Sequence, residues 1–221
     1  LPIAVAVLSC LEQIPRQRTE GILFVGELSL DGGINGIRGV MELVSCAVRQ
    51  GCHTCIVPEE NLAEGSVIQG IKVLGAGHIR QVIRYLRGQG ELEQRSINIE
   101  EIRNRHKEEA GPDFSQIQGQ FLLRRAAEVA VAGFHNLLII GPPGSGKTMT
   151  ARRIPTIMPE ISLEEALEIS KIHSIAGELP EGAALMTGRP FRSPHHTVTP
   201  AALAGGGRGP RPGEVSLAHR G

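Results

Sequence analysis

The sequence predicts an α/β fold in two units. Short β-forming runs alternate with amphipathic helical stretches along most of the chain. A strongly charged stretch at 89–112, closed by Gly111-Pro112, divides the first alternation (1–88) from the second (113–221). The length of 221 residues suits one large domain or two ordinary ones. An apolar share of 41% is that of a globular protein with a core.

Leu1–Leu11 is apolar on nearly every side, which predicts a buried helix. Gly21–Leu30 is rich in β-formers (Ile22, Leu23, Phe24, Val25, Leu28, Leu30) and reads as a strand before the turn signal Asp31-Gly32-Gly33. In Gly39–Gln50, Val40, Leu43, Val44 and Ala47 recur at helical spacing, and Gly51 supplies a stop. Cys55–Val57 and Ile71–Leu74 are short strands. His78–Leu86 is a helix with Ile79, Val82, Ile83 and Leu86 on one face. The stretch 89–112 holds six acidic and four basic side chains and reads as a solvated linker, with room for helical pieces. In the second unit Gln120–Ala132 is a helix, and Asn136–Ile140 is a fully apolar strand of the kind found inside a parallel sheet. A helix then runs to about Ile154, where Pro155 ends or kinks it, and Leu163–His173 is another.

Composition narrows the chemistry. Net charge is zero, so the global balance argues neither for nor against an anionic partner. With no Trp, one Tyr and five Phe, stacking of bases on aromatic platforms is not an obvious binding mode. Four cysteines are too few for a disulfide scaffold at this length. No run approaches the roughly 18 apolar residues of a membrane span, and no signal peptide is visible, so a cytoplasmic location without membrane contact is the expectation. The chain starts at Leu1 rather than Met and stops in what reads as the run-up to a strand, so we read it as part of a longer one.

The residues that carry chemistry are Gly141-Pro142-Pro143-Gly144-Ser145-Gly146-Lys147-Thr148, which match G-x-x-x-x-G-K-[ST] at every fixed position. Glycines reach backbone angles closed to residues with a Cβ, so their N–H groups can turn inward around phosphate oxygens. The helix that follows adds its positive end. Lys147 is expected to reach the β- and γ-phosphates and the Thr148 hydroxyl to ligate Mg²⁺. The motif lies between an apolar strand and a helix, the context it requires. The expected ligands are therefore ATP, or a related nucleoside triphosphate, and Mg²⁺.

Around this motif the second unit resembles the AAA+ ATPases of the magnesium-chelatase-like group. Asp113-Phe114-Ser115-Gln116-Ile117-Gln118-Gly119-Gln120 is similar to the box that precedes their phosphate loop. The runs Arg189-Pro190-Phe191-Arg192-Ser193-Pro194-His195-His196 and Pro210-Arg211-Pro212-Gly213-Glu214-Val215-Ser216-Leu217-Ala218-His219-Arg220-Gly221 resemble those of the YifB/ComM family. The first unit resembles the Lon protease domain (the ribosomal protein S5 domain 2-like fold) at Val25-Gly26-Glu27-Leu28-Ser29-Leu30-Asp31-Gly32, Ile34–Gly51 and Ile56-Val57-Pro58-Glu59-Glu60-Asn61. By that resemblance Met41 stands at the position of the Lon catalytic lysine. It cannot accept a proton, so a scaffold without peptidase activity is implied.

The resemblance implies an ATPase that remodels DNA as a hexameric ring, for instance by branch migration. It also implies an Asp-Glu Walker B motif beyond Gly221, so residues 1–221 are expected to bind nucleotide but hydrolyse little alone. The alternatives are a magnesium chelatase ATPase subunit and a non-enzymatic nucleotide-binding module. The Lon-like unit speaks against the chelatase reading, because chelatase ATPase subunits generally lack it. Ala183–Gly221 holds five arginines against one acid, a local net of +4. Ala204–Gly213 within it reads as a mobile Gly/Arg-rich loop. Arg208 and Arg211 are candidates for DNA phosphate contacts there, against a solvated loop or a subunit contact. Cys52-His53-Thr54-Cys55 and His195-His196 read as structural. In each pair the side chains are expected to point apart.

Overall fold

The computed structural model describes residues 1–102, 112–180, 182–207 and 209–221. The first unit runs α1 (Pro2–Cys10), β1 (Ile22–Phe24), β2 (Glu27–Leu28), β3 (Ile34–Asn35), α2 (Val40–Arg49), β4 (Thr54–Pro58), α3 (Leu62–Gly65), β5 (Lys72–Ala76) and α4 (Ile79–Leu86). Three strands form a parallel sheet in the order β1-β4-β5, with Ile22 opposite Thr54 and Ile56 opposite Leu74. The central strand β4 is buried at all five positions, as a parallel strand covered on both faces must be. Its alternation sorts the core. Ile56 and Leu74 meet Val5 of α1 and Val82 and Leu86 of α4. Cys55, Val57 and Val73 meet Val40 and Val44 of α2 and Leu62 of α3.

Two expectations fail in this unit for identifiable reasons. The β-rich run Gly21–Leu30 is not one strand. It breaks after Phe24, and Gly26, at φ +135°, turns the chain into the small antiparallel pair β2-β3. The helix α1 is not buried all round, because the sheet covers one side of it: Ile3, Val7 and Leu11 are 82%, 51% and 63% exposed.

The second unit opens with a 3₁₀ turn at Phe114–Gln116 and continues α5 (Phe121–Gly133), α6 (Lys147–Arg153), α7 (Leu163–Ala176), α8 (Pro200–Ala204), a two-stranded hairpin of β6 (Gly205–Gly206) and β7 (Arg211–Pro212), and α9 (Glu214–Leu217). As expected at Pro155, α6 ends at Arg153, and the chain goes on in a 3₁₀ turn, Ile154–Ile157. Ser162 and Glu165 cap α7 reciprocally, side chain to backbone, at 3.1 and 2.9 Å. The expected strand at 136–140 forms no ladder. Among the described residues no strand pairs with it, and Leu138 and Ile140 are 83% and 86% exposed.

The units share apolar core. Met41, Ala63 and Val67 of the first join Ile161, Ala166, Ile169, Ala184 and Leu185 of the second. The charged stretch contributes as well. Ile97, Ile99 and Ile102 pack on that core, residues 99–102 are helical, and the Gly75 N–H donates to the Glu93 carbonyl at 2.8 Å. Its continuation, 103–111, lies outside the described residues.

Candidate functional site

The phosphate-loop motif rests on a small apolar base. The Asp113 carboxylate accepts the Ser115 N–H at 2.8 Å, which tightens the turn. Phe114 and Ile117 are thereby buried against Ala127 of α5, with Leu137, Ile154 and Ile157 around them. The Phe114 N–H donates to Thr156 Oγ1 at 3.1 Å, and Arg153 donates to Gln116 Oε1 at 3.1 Å. The segment 113–117 is thus fastened to the far end of α6. Gln120, left-handed at φ +49°, donates from Nε2 to the Ser145 carbonyl at 3.3 Å and ties this base to the loop.

The loop has the backbone its sequence demands. Gly144 and Gly146 sit at φ +78° and +82°. No atom lies within 4 Å of where a Cβ would stand at Gly144, so the angle, not space, selects glycine there. Pro142 and Pro143 offer no N–H, and the Ser145 N–H bends back to the Pro142 carbonyl at 3.4 Å. Lys147 begins α6 and swings its ammonium over the loop, donating to the Gly141 and Pro142 carbonyls at 2.7 Å each. Thr148 is exposed on the first turn. Among the described residues no carboxylate pairs with Lys147. Left-handed glycines, one ammonium and one hydroxyl on an exposed bend make a donor set for phosphate oxygens and a hard cation.

The arginines of the C-terminal segment divide sharply. Arg192 is bidentate to Glu214 at 2.7 and 2.8 Å and also donates to Glu178 at 2.8 Å. The bond to Glu214 holds the guanidinium pKa well up and the Glu214 carboxyl below its usual range. Arg189 donates to the Pro159 and Arg220 carbonyls at 2.7 and 2.6 Å. Arg220 pairs with Glu165 and Glu168 at 3.4 and 3.1 Å. Three of the five arginines are therefore bound within the fold. The count of +4 overstates the charge open to a partner, because the acids that answer it, Glu165, Glu168 and Glu178, lie earlier in the sequence. Arg211 is exposed on β7, with no ion pair among the described residues. Arg208 lies outside them. The Gly/Arg-rich stretch expected as a loop is anchored by the β6-β7 pairing.

The bland motifs resolve in part. Cys55 is fully buried on β4, and burial pushes its thiol up to about 12. The His195 and His196 rings do not point apart. A turn at 196–197 brings their centroids to 4.1 Å. Among the described residues no group of three or more His, Cys, Asp or Glu could hold a metal ion. Met41 is fully buried in the shared core, with no amine and no access. No helix among the described residues is long and apolar enough to cross a membrane.

Residues 113–221 match the family model described as magnesium chelatase, subunit ChlI, and residues 1–61 match that of subunit ChlI of Mg-chelatase. An uncharacterized protein of Mycobacterium tuberculosis is 44% identical over the whole chain. The uncharacterized protein YifB of Escherichia coli is 39% identical and the competence protein ComM of Haemophilus influenzae 35% identical, again over the whole chain. The chain belongs to the YifB/ComM family of magnesium-chelatase-like AAA+ proteins. It spans 42–43% of the length of these curated relatives. An archaeal Lon protease of Halobacterium salinarum is 29% identical over 87 residues, which cover 38% of this chain and 12% of that protein. Family membership places the phosphate loop in a unit that matches ChlI models.

Proposed function

We propose that Gly141–Thr148 binds ATP with Mg²⁺, and that the whole protein uses ATP to remodel DNA as a homo-oligomeric ring. One observation carries the first part: the loop holds Gly144 and Gly146 left-handed and brings the Lys147 ammonium onto the Gly141 and Pro142 carbonyls. Bound there, the nucleotide would take backbone N–H groups of the loop and Lys147 at its phosphates, and the Thr148 hydroxyl would ligate Mg²⁺. The group supplies phosphoryl transfer. The chain's own part is to neutralise and orient the phosphates. Lys147→Ala is expected to weaken Mg·ATP binding about 10–100-fold, the worth of one charge-assisted hydrogen bond to an ion. Calorimetric titration of wild type and variant decides this, and equal affinities would overturn the site.

The DNA part draws on the resemblance to the YifB/ComM family, one relative of which is named a competence protein, and on the exposed Arg211. It needs the full-length protein. Neutralising Arg208 and Arg211 together should flatten the salt dependence of DNA binding by about one to two units of slope. An unchanged slope removes both residues from the interface. A second reading, an ATPase subunit of metal insertion into a porphyrin, draws on the chelatase family models. It predicts Mg·ATP affinity with no DNA affinity at any nucleotide state.

A further inference from the structure

The helix α7 is gripped by both units, and its contacts trace a continuous path from α2 to the Gly/Arg hairpin. On the first side Glu42 of α2 pairs with Lys171 at 3.0 Å, and the Gly39 N–H donates to the Ser174 carbonyl at 3.1 Å. Met41 enters the core that holds Ala166 and Ile169. The buried Glu64 carboxyl lies beside Ser174, with the Asn61 amide donating to it at 2.6 Å. On the second side His173 Nε2 meets the Leu217 carbonyl of α9 at 3.2 Å. Glu168 takes His219 and Arg220 at 3.2 and 3.1 Å. Just past the Gly177 cap, Glu178 holds Arg192, which in turn grips Glu214. Residues 192 and 214 flank the segment that carries the hairpin, so this pair closes its neck.

We propose that the first unit is a positioning element for the hairpin: through α7 and the Glu178–Arg192–Glu214 bridge it holds β6-β7 at a fixed angle to the rest of the second unit. The unit that resembles a protease would then serve by docking rather than by chemistry. Its α2 is spent on an interface, with Met41 and Ser45 buried and Glu42 in two ion pairs, one to Arg49 and one to Lys171. The idea is independent of what the hairpin touches, because it concerns order and not ligand.

The test is hydrogen exchange, followed by mass spectrometry on the intact chain, in peptides covering 39–49, 163–177 and 203–213. Glu42→Arg sets a cation against Lys171. It should speed exchange at 203–213 about two- to fivefold, the scale of one half-exposed ion pair. Adding Lys171→Glu re-forms the pair with its charges exchanged and should slow exchange at 203–213 again, short of the wild-type rate because Arg49 loses its partner. Coupling is reciprocal, so Arg192→Lys, which keeps the charge and loses the fork, should speed exchange at the Gly39 end of α2. Should Glu42→Arg fail to fold, Lys171→Gln gives the same readout with a smaller shift. Faster exchange confined to the mutated side, or a double variant whose hairpin exchanges as fast as that of Glu42→Arg, overturns the proposal.

Discussion

Two apolar runs of five residues have opposite fates in this molecule. The strand β4, Thr54–Pro58, is buried throughout, flanked by β1 and β5 and covered by α1 and α4 on one face and α2 on the other. The run 136–140 is at least as apolar, yet Leu138 and Ile140 are almost fully exposed and no described strand runs beside it. A hydrophobic pattern states what a segment gains by being covered. It does not state that a cover is present. β4 finds two neighbours within eighty residues of chain, whereas 136–140, among the described residues, joins a buried cluster through Leu137 on the Phe114 base.

This contrast can be broken or sharpened experimentally. The largest effect is expected at Met41, where restoring the lysine implied by the Lon resemblance buries a charge in the shared core. Met41→Lys should cost about 4–7 kcal/mol, the worth of a fully buried amine's pKa shift. It should yield no peptidase activity. A stable, folded Met41→Lys protein in urea melts would mean that the α2–α7 contact is loose. Next comes the direct comparison of the two runs. Ile56→Ala should cost about 2–5 kcal/mol, whereas Leu138→Ala in residues 1–221 should stay within about 0.5 kcal/mol. Equal losses would show that 136–140 is covered in solution.

The smallest effect sits at the seam between the units. Burial raises the Glu64 carboxyl above its ordinary 4.5, partly offset by Ser174 and Asn61. A raised folded value favours the protonated acid. Its contribution is therefore full below about pH 4.5 and is lost as pH rises through the folded value. Glu64→Gln should remove that loss, so its stability relative to wild type should rise from about pH 4 to about pH 7. A constant difference across that range would place the carboxyl in water.

Much of the site was readable in advance because a phosphate loop is a local structure. Its glycine angles and its following helix are set by eight consecutive residues and stand as expected, whereas the strand expected before them at 136–140 pairs with none among the described residues. The helices of the first unit were readable for the same reason: of Val40, Leu43, Val44 and Ala47 at helical spacing, all but Leu43 are buried, and Leu43 stands 40% exposed at the edge of that face. What misled was information stored far away in the chain. The +4 of the C-terminal segment counted Arg189, Arg192 and Arg220 as free, while the carbonyls and carboxylates that bind them come in part from 159 to 178. The His195-His196 geometry turned on one local bend that the residue types do not announce.

Sequence alone therefore determined the left-handed glycines at 144 and 146, the helix that follows them and the apolar face of α4, since each is written within one or two turns of backbone. Tertiary structure decided which apolar runs are covered, which arginines remain open and that the two units share a core. Those outcomes depend on surfaces brought together across tens of residues, and nothing in a local pattern encodes the partner that burial or an ion pair requires.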